Sequence, residues 1–219
     1  MKRLMLNRVF AAIAVSAAVA LPARAVVVDF EDVAATLFNA SSISSGGLDF
    51  ASSGAGFSGV DSAAAFVFGN APANSSGQFL FALNTDTLTM TQGGNAFRLL
   101  GLDASFVAPL GNLGVGLTAG MLHVVATTGS GVITDDFDFG LSDATGNWNF
   151  SAVSNSAWAS GVTSVSFSAC VYVGLAGCSF TDSLAQFALD NIHVPEPTSA
   201  VLALAALGLL AATRRRQSL

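Results

Sequence analysis

Two acidic segments near the ends of the central chain, Asp29-Phe30-Glu31-Asp32 and Leu189-Asp190-Asn191-Ile192, hold the first residues whose types and spacing suggest chemistry. In an extended strand, residues i and i+2 share a face. Asp29 and Glu31 are therefore expected to converge on one ion, with Asp190 and backbone carbonyls completing an oxygen shell of the kind Ca²⁺ takes. This requires the first and last strands to run side by side. The alternative is that these are solvated acids at strand ends. A second run, Asp135-Asp136-Phe137-Asp138, places Asp136 and Asp138 on one face and Asp135 on the other. It suits a second cation or polar ligand, or an exposed edge strand guarded by charge. Trp148 and Trp158, the two tryptophans, stand in Asn147-Trp148-Asn149 and Asn155-Ser156-Ala157-Trp158. A planar ring beside polar groups suits a sugar face, since the ring offers flat apolar contact; core packing is the other reading. Cys170 and Cys178 are the two cysteines, eight positions apart in CVYVGLAGC. In an exported chain such a pair reads as a disulfide, which contributes about 2.5 kcal/mol by loop-closure entropy.

Catalysis finds little support. His123 lies in the apolar run Met121-Leu122-His123-Val124-Val125, and His193 abuts Pro195-Glu196-Pro197. No Gly-x-Ser-x-Gly elbow occurs. No residue is assigned a catalytic role, and the chain is not expected to be an enzyme.

These residues must be positioned by short strands. Between residues 26 and 194 the chain is rich in Gly, Ser, Ala, Val and Phe and lacks long stretches of helical periodicity. Apolar runs recur at 26–31, 48–50, 64–68, 78–82, 87–91, 97–106, 121–127, 133–139, 148–153, 162–173 and 185–194. Clusters such as Ser45-Gly46-Gly47 and Gly129-Ser130-Gly131 separate them as turns. Several runs alternate with period two. Val165, Phe167 and Ala169 fall on one face, and Ser164, Ser166 and Ser168 on the other. That is the pattern of half-buried antiparallel strands. The expectation is an all-β chain with one β-sandwich domain over 26–194, jelly-roll-like, whose core takes most of the seventeen phenylalanines. The terminal acids are loosely similar to the structural Ca²⁺ site of many jelly-roll carbohydrate-binding modules, where an acidic early strand faces an Asp in the last.

Charge is unevenly spread. Residues 26–194 carry thirteen acids against the single base Arg98, a net charge of −12, although the whole chain shows −6. Such a surface repels nucleic acid and anionic lipid and favours cations, so nucleic acid is excluded as a partner. Solubility alone also accounts for the acidity.

The ends differ in kind. Lys2, Arg3 and Arg8 precede an apolar run over 9–21, and Ala23-Arg24-Ala25 follows. This is the order of a secretory signal peptide, residues 1–25, cut after Ala25. At the other end Pro195-Glu196-Pro197 leads into an uncharged apolar run over 198–213 and then Arg214-Arg215-Arg216. As a helix the run spans roughly 24 Å, short for a bilayer core of about 30 Å but usable where the membrane thins. The arginines mark its cytoplasmic end. Residues 195–219 thus form a proline hinge, a transmembrane helix and a basic cluster.

That order resembles the PEP-CTERM sorting signal of Gram-negative bacteria. The resemblance implies a substrate of an exosortase, a membrane cysteine transpeptidase that acts at or near Pro195-Glu196-Pro197. It implies export through the secretion machinery, a transient stay in the inner membrane by the C-terminal helix, and delivery to the cell surface or matrix. Proteins with this signal are typically tied to exopolysaccharide and biofilm. The expected role is structural or adhesive. A Ca²⁺-stabilised carbohydrate-binding module is the alternative, and an enzyme acting on exopolysaccharide a third.

Overall fold

Apolar runs bounded by turn formers become strands. The computed structural model describes residues 25–195 except 74–76, 110–115, 117 and 174–176. In chain order the strands are β1 (Ala25–Val28), β2 (Thr36–Phe38), β3 (Ser42–Ser45), β4 (Leu48–Ser52), β5 (Phe57–Ser62), β6 (Gln78–Leu83) and β7 (Leu88–Thr91). They continue with β8 (Gly101–Phe106), β9 (Gly120–Thr128), β10 (Gly131–Asp138), β11 (Ser151–Val153), β12 (Val162–Tyr172), β13 (Cys178–Ser179) and β14 (Phe187–Pro195). A 3₁₀ turn spans Ser156–Ser160. Residues 64–68, expected as a strand, are irregular.

The described strands form two sheets. The first has the order β11-β8-β14-β6-β5-β2, with β1 added to β14; the second runs β10-β9-β12-β7-β4-β3, with β13 added to β12. The ladders along both orders are antiparallel. The result is an all-β sandwich, and Val26–Val194 gather into one compact unit.

Alternation sets the core. Val165, Phe167 and Ala169 of β12 are buried, and the register places Phe167 beside Val124 and Ala169 beside Leu122 of β9. Buried residues therefore meet buried residues across the ladder, and Ser164, Ser166 and Ser168 share the outer face with His123, Val125 and Thr127. β6 breaks the alternation. Phe79, Leu80, Phe81, Ala82 and Leu83 are all buried, because both faces of this strand are covered. Leu80 and Ala82 face the other sheet, while Phe79, Phe81 and Leu83 form a separate outer cluster with Val107 and Ala188. Phe66, Phe68 and Ala71 lie across that cluster, with Phe57 and Phe150 at its margin. The Phe66 ring meets Phe81 at 5.1 Å in an edge-to-face contact, a geometry worth about 0.5–1.5 kcal/mol beyond area burial. Gly59 makes room for it: a Cβ there would collide with the Phe81 ring and with the Thr36 carbonyl. The irregular 64–68 segment thus packs as a lid on the first sheet rather than pairing within it.

Candidate functional site

The N-terminal acids do not continue β1. The strand ends at Val28, and Phe30 adopts a left-handed backbone with φ 62°. That turn drives its ring into the core against Phe50, with centroids 5.2 Å apart. Asp29 and Glu31 therefore flank a turn, and the strand rule that placed them on one face does not apply. Asp29 Oδ1 accepts from the Glu31 N–H at 3.3 Å, and Glu31 Oε1 from the Gln78 N–H at 2.7 Å. Gly77 keeps this approach open, since a Cβ there would overlap the Glu31 carboxylate. Asp32 accepts from the Ser45 hydroxyl and the Gly46 N–H, and these donors hold its carboxyl below the usual range. Asp190 is buried on β14, its Oδ1 accepting from the Asn191 N–H at 2.7 Å. β1 does pair with β14, so the terminal strands meet as expected. Even so, among the described residues no three His, Cys, Asp or Glu side chains gather to hold a metal ion. The structure does not bring Asp29, Glu31 and Asp190 together as a calcium cage.

The tryptophans are core residues. Trp148 is 1% exposed and Trp158 0%, so neither indole can offer a face to a sugar. Trp148 packs edge-on against Phe106 at 5.0 Å, and Trp158 against Phe137 at 5.6 Å. The 3₁₀ turn explains the second placement. Asn155 caps it by accepting from the Ala157 N–H, while its Nδ2 donates to both oxygens of Asp135 at 2.8 Å. Trp158 Nε1 donates to the same carboxylate at 2.9 Å. The inward acid of the 135–138 run thus anchors a buried indole.

A carboxylate that sequence reasoning passed over organises another corner. Asp86 is buried and accepts from the hydroxyls of Ser52, Ser53 and Ser58 at 2.5, 2.6 and 2.5 Å. The backbone N–H groups of Gly54 and Thr87 add bonds of 3.1 and 3.0 Å. Burial pushes its pKa up, but the hydroxyl and N–H donors together outweigh burial and hold it below the ordinary value. The available signal was one Asp between two apolar runs, in Asn84-Thr85-Asp86, opposite the serine-rich turn at Ser52-Ser53-Gly54.

The outward acids meet a different set. β10 stands at one end of the second sheet, as an edge strand would. Asp136 pairs with His123 on β9, Oδ1 to Nδ1 at 2.6 Å, and the His123 ring lies 5.3 Å from Phe180 in an edge-to-face contact. Two residues along β10, Asp138 Oδ1 accepts from the Tyr172 hydroxyl at 2.5 Å. That bond, with burial and the charges of Asp138 and Asp136 behind it, raises the Tyr172 pKa. Cys170 and Cys178 form a disulfide with Cα atoms 5.4 Å apart. The link ties β13 to β12 and delivers Phe180 beside His123. The outer face of the second sheet therefore carries two exposed rings, an imidazole and two carboxylates in one patch.

Of the two terminal regions, the described residues reach only the inner edges. Ala25 is the first residue of β1; Ala23 and the rest of the expected leader lie outside the described residues. Pro195 is the last residue of β14, and Glu196, Pro197, the 198–213 run and Arg214, Arg215 and Arg216 lie outside them. Among the described residues no helix is long and apolar enough to cross a membrane.

The fold has a solved counterpart. The crystal structure of a DUF4465 family protein from Bacteroides caccae superposes with a TM-score of 0.54 at 14% identity, covering 80% of this chain and 100% of that one. The likeness extends to fold alone. None of the curated proteins matches the chain. A family model does match where β14 ends: residues 193–217 carry the PEP-CTERM protein-sorting motif, which implies an exported protein of the Gram-negative envelope, sorted by an exosortase.

Proposed function

We propose that Val26–Val194 form a non-catalytic structural or adhesive protein of the cell surface or extracellular matrix, in contact with exopolysaccharide. In this reading the leader directs export and is cut after Ala25. The 198–213 helix halts in the inner membrane with Arg214, Arg215 and Arg216 on the cytoplasmic side. An exosortase then acts at Pro195-Glu196-Pro197, and the body is a jelly-roll-like sandwich. The observation that carries the reading is the attachment of the sorting motif. Its Pro195 is the final residue of β14, a strand that pairs with β8 and β6 and also with β1. A pull applied through the C-terminal connection is borne by the interior of a sheet rather than by one edge ladder. That arrangement suits a body retained by its C-terminal side while its surface meets other molecules.

The test is fractionation of a Gram-negative host that carries an exosortase. The native chain and a Pro195→Ala, Glu196→Ala, Pro197→Ala variant are followed by antibody accessibility on whole cells and by mass of the mature form. The native protein should reach the surface and co-sediment with extracellular polysaccharide, while the variant stays in the inner membrane. A native protein left in the cytosol, or one surface-exposed but absent from the polysaccharide fraction, would overturn the proposal.

A further inference from the structure

Among the described residues, Tyr172 and Phe180 are the two aromatic side chains that stand exposed, at 39% and 44%. Both lie on the outer face of the second sheet, and each touches a residue bonded to, or itself, an outward acid of β10. We propose that this patch, Tyr172, Phe180, His123, Asp136 and Asp138, binds a cationic amino-sugar glycan, one whose sugar rings carry free ammonium groups. The inference rests on the reading of the body as a matrix-contacting protein and names the polymer it contacts.

Three properties of the patch select that ligand. The rings supply flat apolar contact for the C–H faces of a sugar. Ionised carboxylates only accept hydrogen bonds, so they select hydroxyl and, above all, ammonium donors. Asp136 and Asp138 take their bonds from His123 and Tyr172 at Oδ1, and as alternate residues of β10 they lie on the same outward face. The surrounding charge points the same way. With thirteen acids against Arg98 across residues 26–194, the body attracts a polycation and repels a polyuronate.

The patch is also held in shape before any ligand arrives. Tyr172 is tethered through its hydroxyl to Asp138, and the disulfide fixes β13 and hence Phe180. Asp136 and Asp138 lie two residues apart on β10, which sets them roughly 7 Å apart along the strand. Two rings and two acids in adjacent rows suit successive sugars of a chain lying along the strands. Fixing such groups in advance lowers the ordering cost of binding.

The experiment uses the full chain in detergent and titrates it by calorimetry with an oligomer of glucosamine. A fully N-acetylated oligomer and a polyuronate fragment serve as comparators. The glucosamine oligomer should bind at least about tenfold more tightly than the acetylated one, a difference of roughly 1.4 kcal/mol, and the polyuronate should not bind. Phe180→Ala, Tyr172→Ala and Asp138→Asn should each weaken binding by roughly tenfold, with Tyr172→Phe retaining it. Asp61→Asn removes the same charge from β5 of the other sheet and should leave affinity unchanged. Equal losses in Asp61→Asn and Asp138→Asn would reduce the effect to diffuse charge and overturn the proposal. So would native affinity in Phe180→Ala at an unchanged melting temperature, or equal binding of the acetylated oligomer. A protein that reaches the surface yet ignores the glucosamine oligomer overturns this inference and leaves the surface role standing.

Discussion

Replacing Asp86 is the sharpest test of how the sandwich is held together. Asp86→Ala removes the shared acceptor of three hydroxyls and two N–H groups. Ser52 and Ser58 are buried and would keep their hydroxyls without an acceptor. A buried donor left unsatisfied costs about 1–3 kcal/mol, so two cost about 2–6 kcal/mol together. Ordinary domains are stable by only about 5–15 kcal/mol, which makes the loss a large fraction of the total. Asp86→Asn keeps the shape and one oxygen acceptor but loses the charge, and should cost roughly half as much. The pH dependence follows from the lowered pKa. A carboxyl whose folded pKa lies below its unfolded value of about 3.9 binds fewer protons when folded, so its contribution is full above that value. It disappears as pH falls through the folded pKa. Urea melts at pH 7 and pH 3 read both effects. The native protein should lose stability between these values by more than Asp86→Asn does. An Asp86→Ala protein within about 0.5 kcal/mol of native at pH 7, the range of an ordinary surface change, would refute the hub.

Reduction, or Cys178→Ser, should lower stability by about 2.5 kcal/mol in denaturant melts and should weaken the Phe180–His123 contact, seen as a shift in the His123 ring resonances. Trp158→Phe leaves Asp135 without its indole donor and should cost about 1–3 kcal/mol; in the native protein both indoles should resist quenching by iodide. Phe81→Ala should cost about 3–5 kcal/mol, as for a core residue, although the ring lies outside the space between the sheets; a cost below 1 kcal/mol would remove the lid from the core. Melting temperature should not change between Ca²⁺ and EDTA, because Asp29, Glu31 and Asp190 do not assemble; a rise of several degrees with Ca²⁺ would restore the cage.

Strand faces were legible wherever one side meets water. The serine alternation of β12 and the charged pattern of β10 both lie as their periodicity implied, because one face in each is wet. The cysteine spacing likewise gave the disulfide. The turn at Phe30 was not legible, since a left-handed phenylalanine breaks the strand rule without a glycine to announce it. Of the two readings of the tryptophans, core packing holds, and their Asn and Ser neighbours report the polarity of adjacent backbone positions. Asn155 spends that polarity on capping the 3₁₀ turn and on Asp135, and so helps bury the indole. For β6 a signal was present: an unbroken apolar run from Phe79 to Leu83 denotes a strand covered on both faces. What covered it could not be read, because 64–68 has strand-like composition and its burial depends on a partner distant in sequence. The patch at Tyr172 and Phe180 was hidden for the same reason, as its acids come from β10, its imidazole from β9 and its rings from within and just beyond the disulfide loop.

The phenylalanine lid over the first sheet has a consequence for valency. Phe66 and Phe68 cover Phe79 and Phe81 on the outer face of β6, whereas Tyr172 and Phe180 stand exposed on the outer face of the second sheet. If that patch binds a polymer as proposed, one molecule grips one strand, since among the described residues no second pair of exposed aromatic rings stands elsewhere. Alone it would decorate or cap a polysaccharide. Knitting two strands into a network would take two copies, joined or co-anchored.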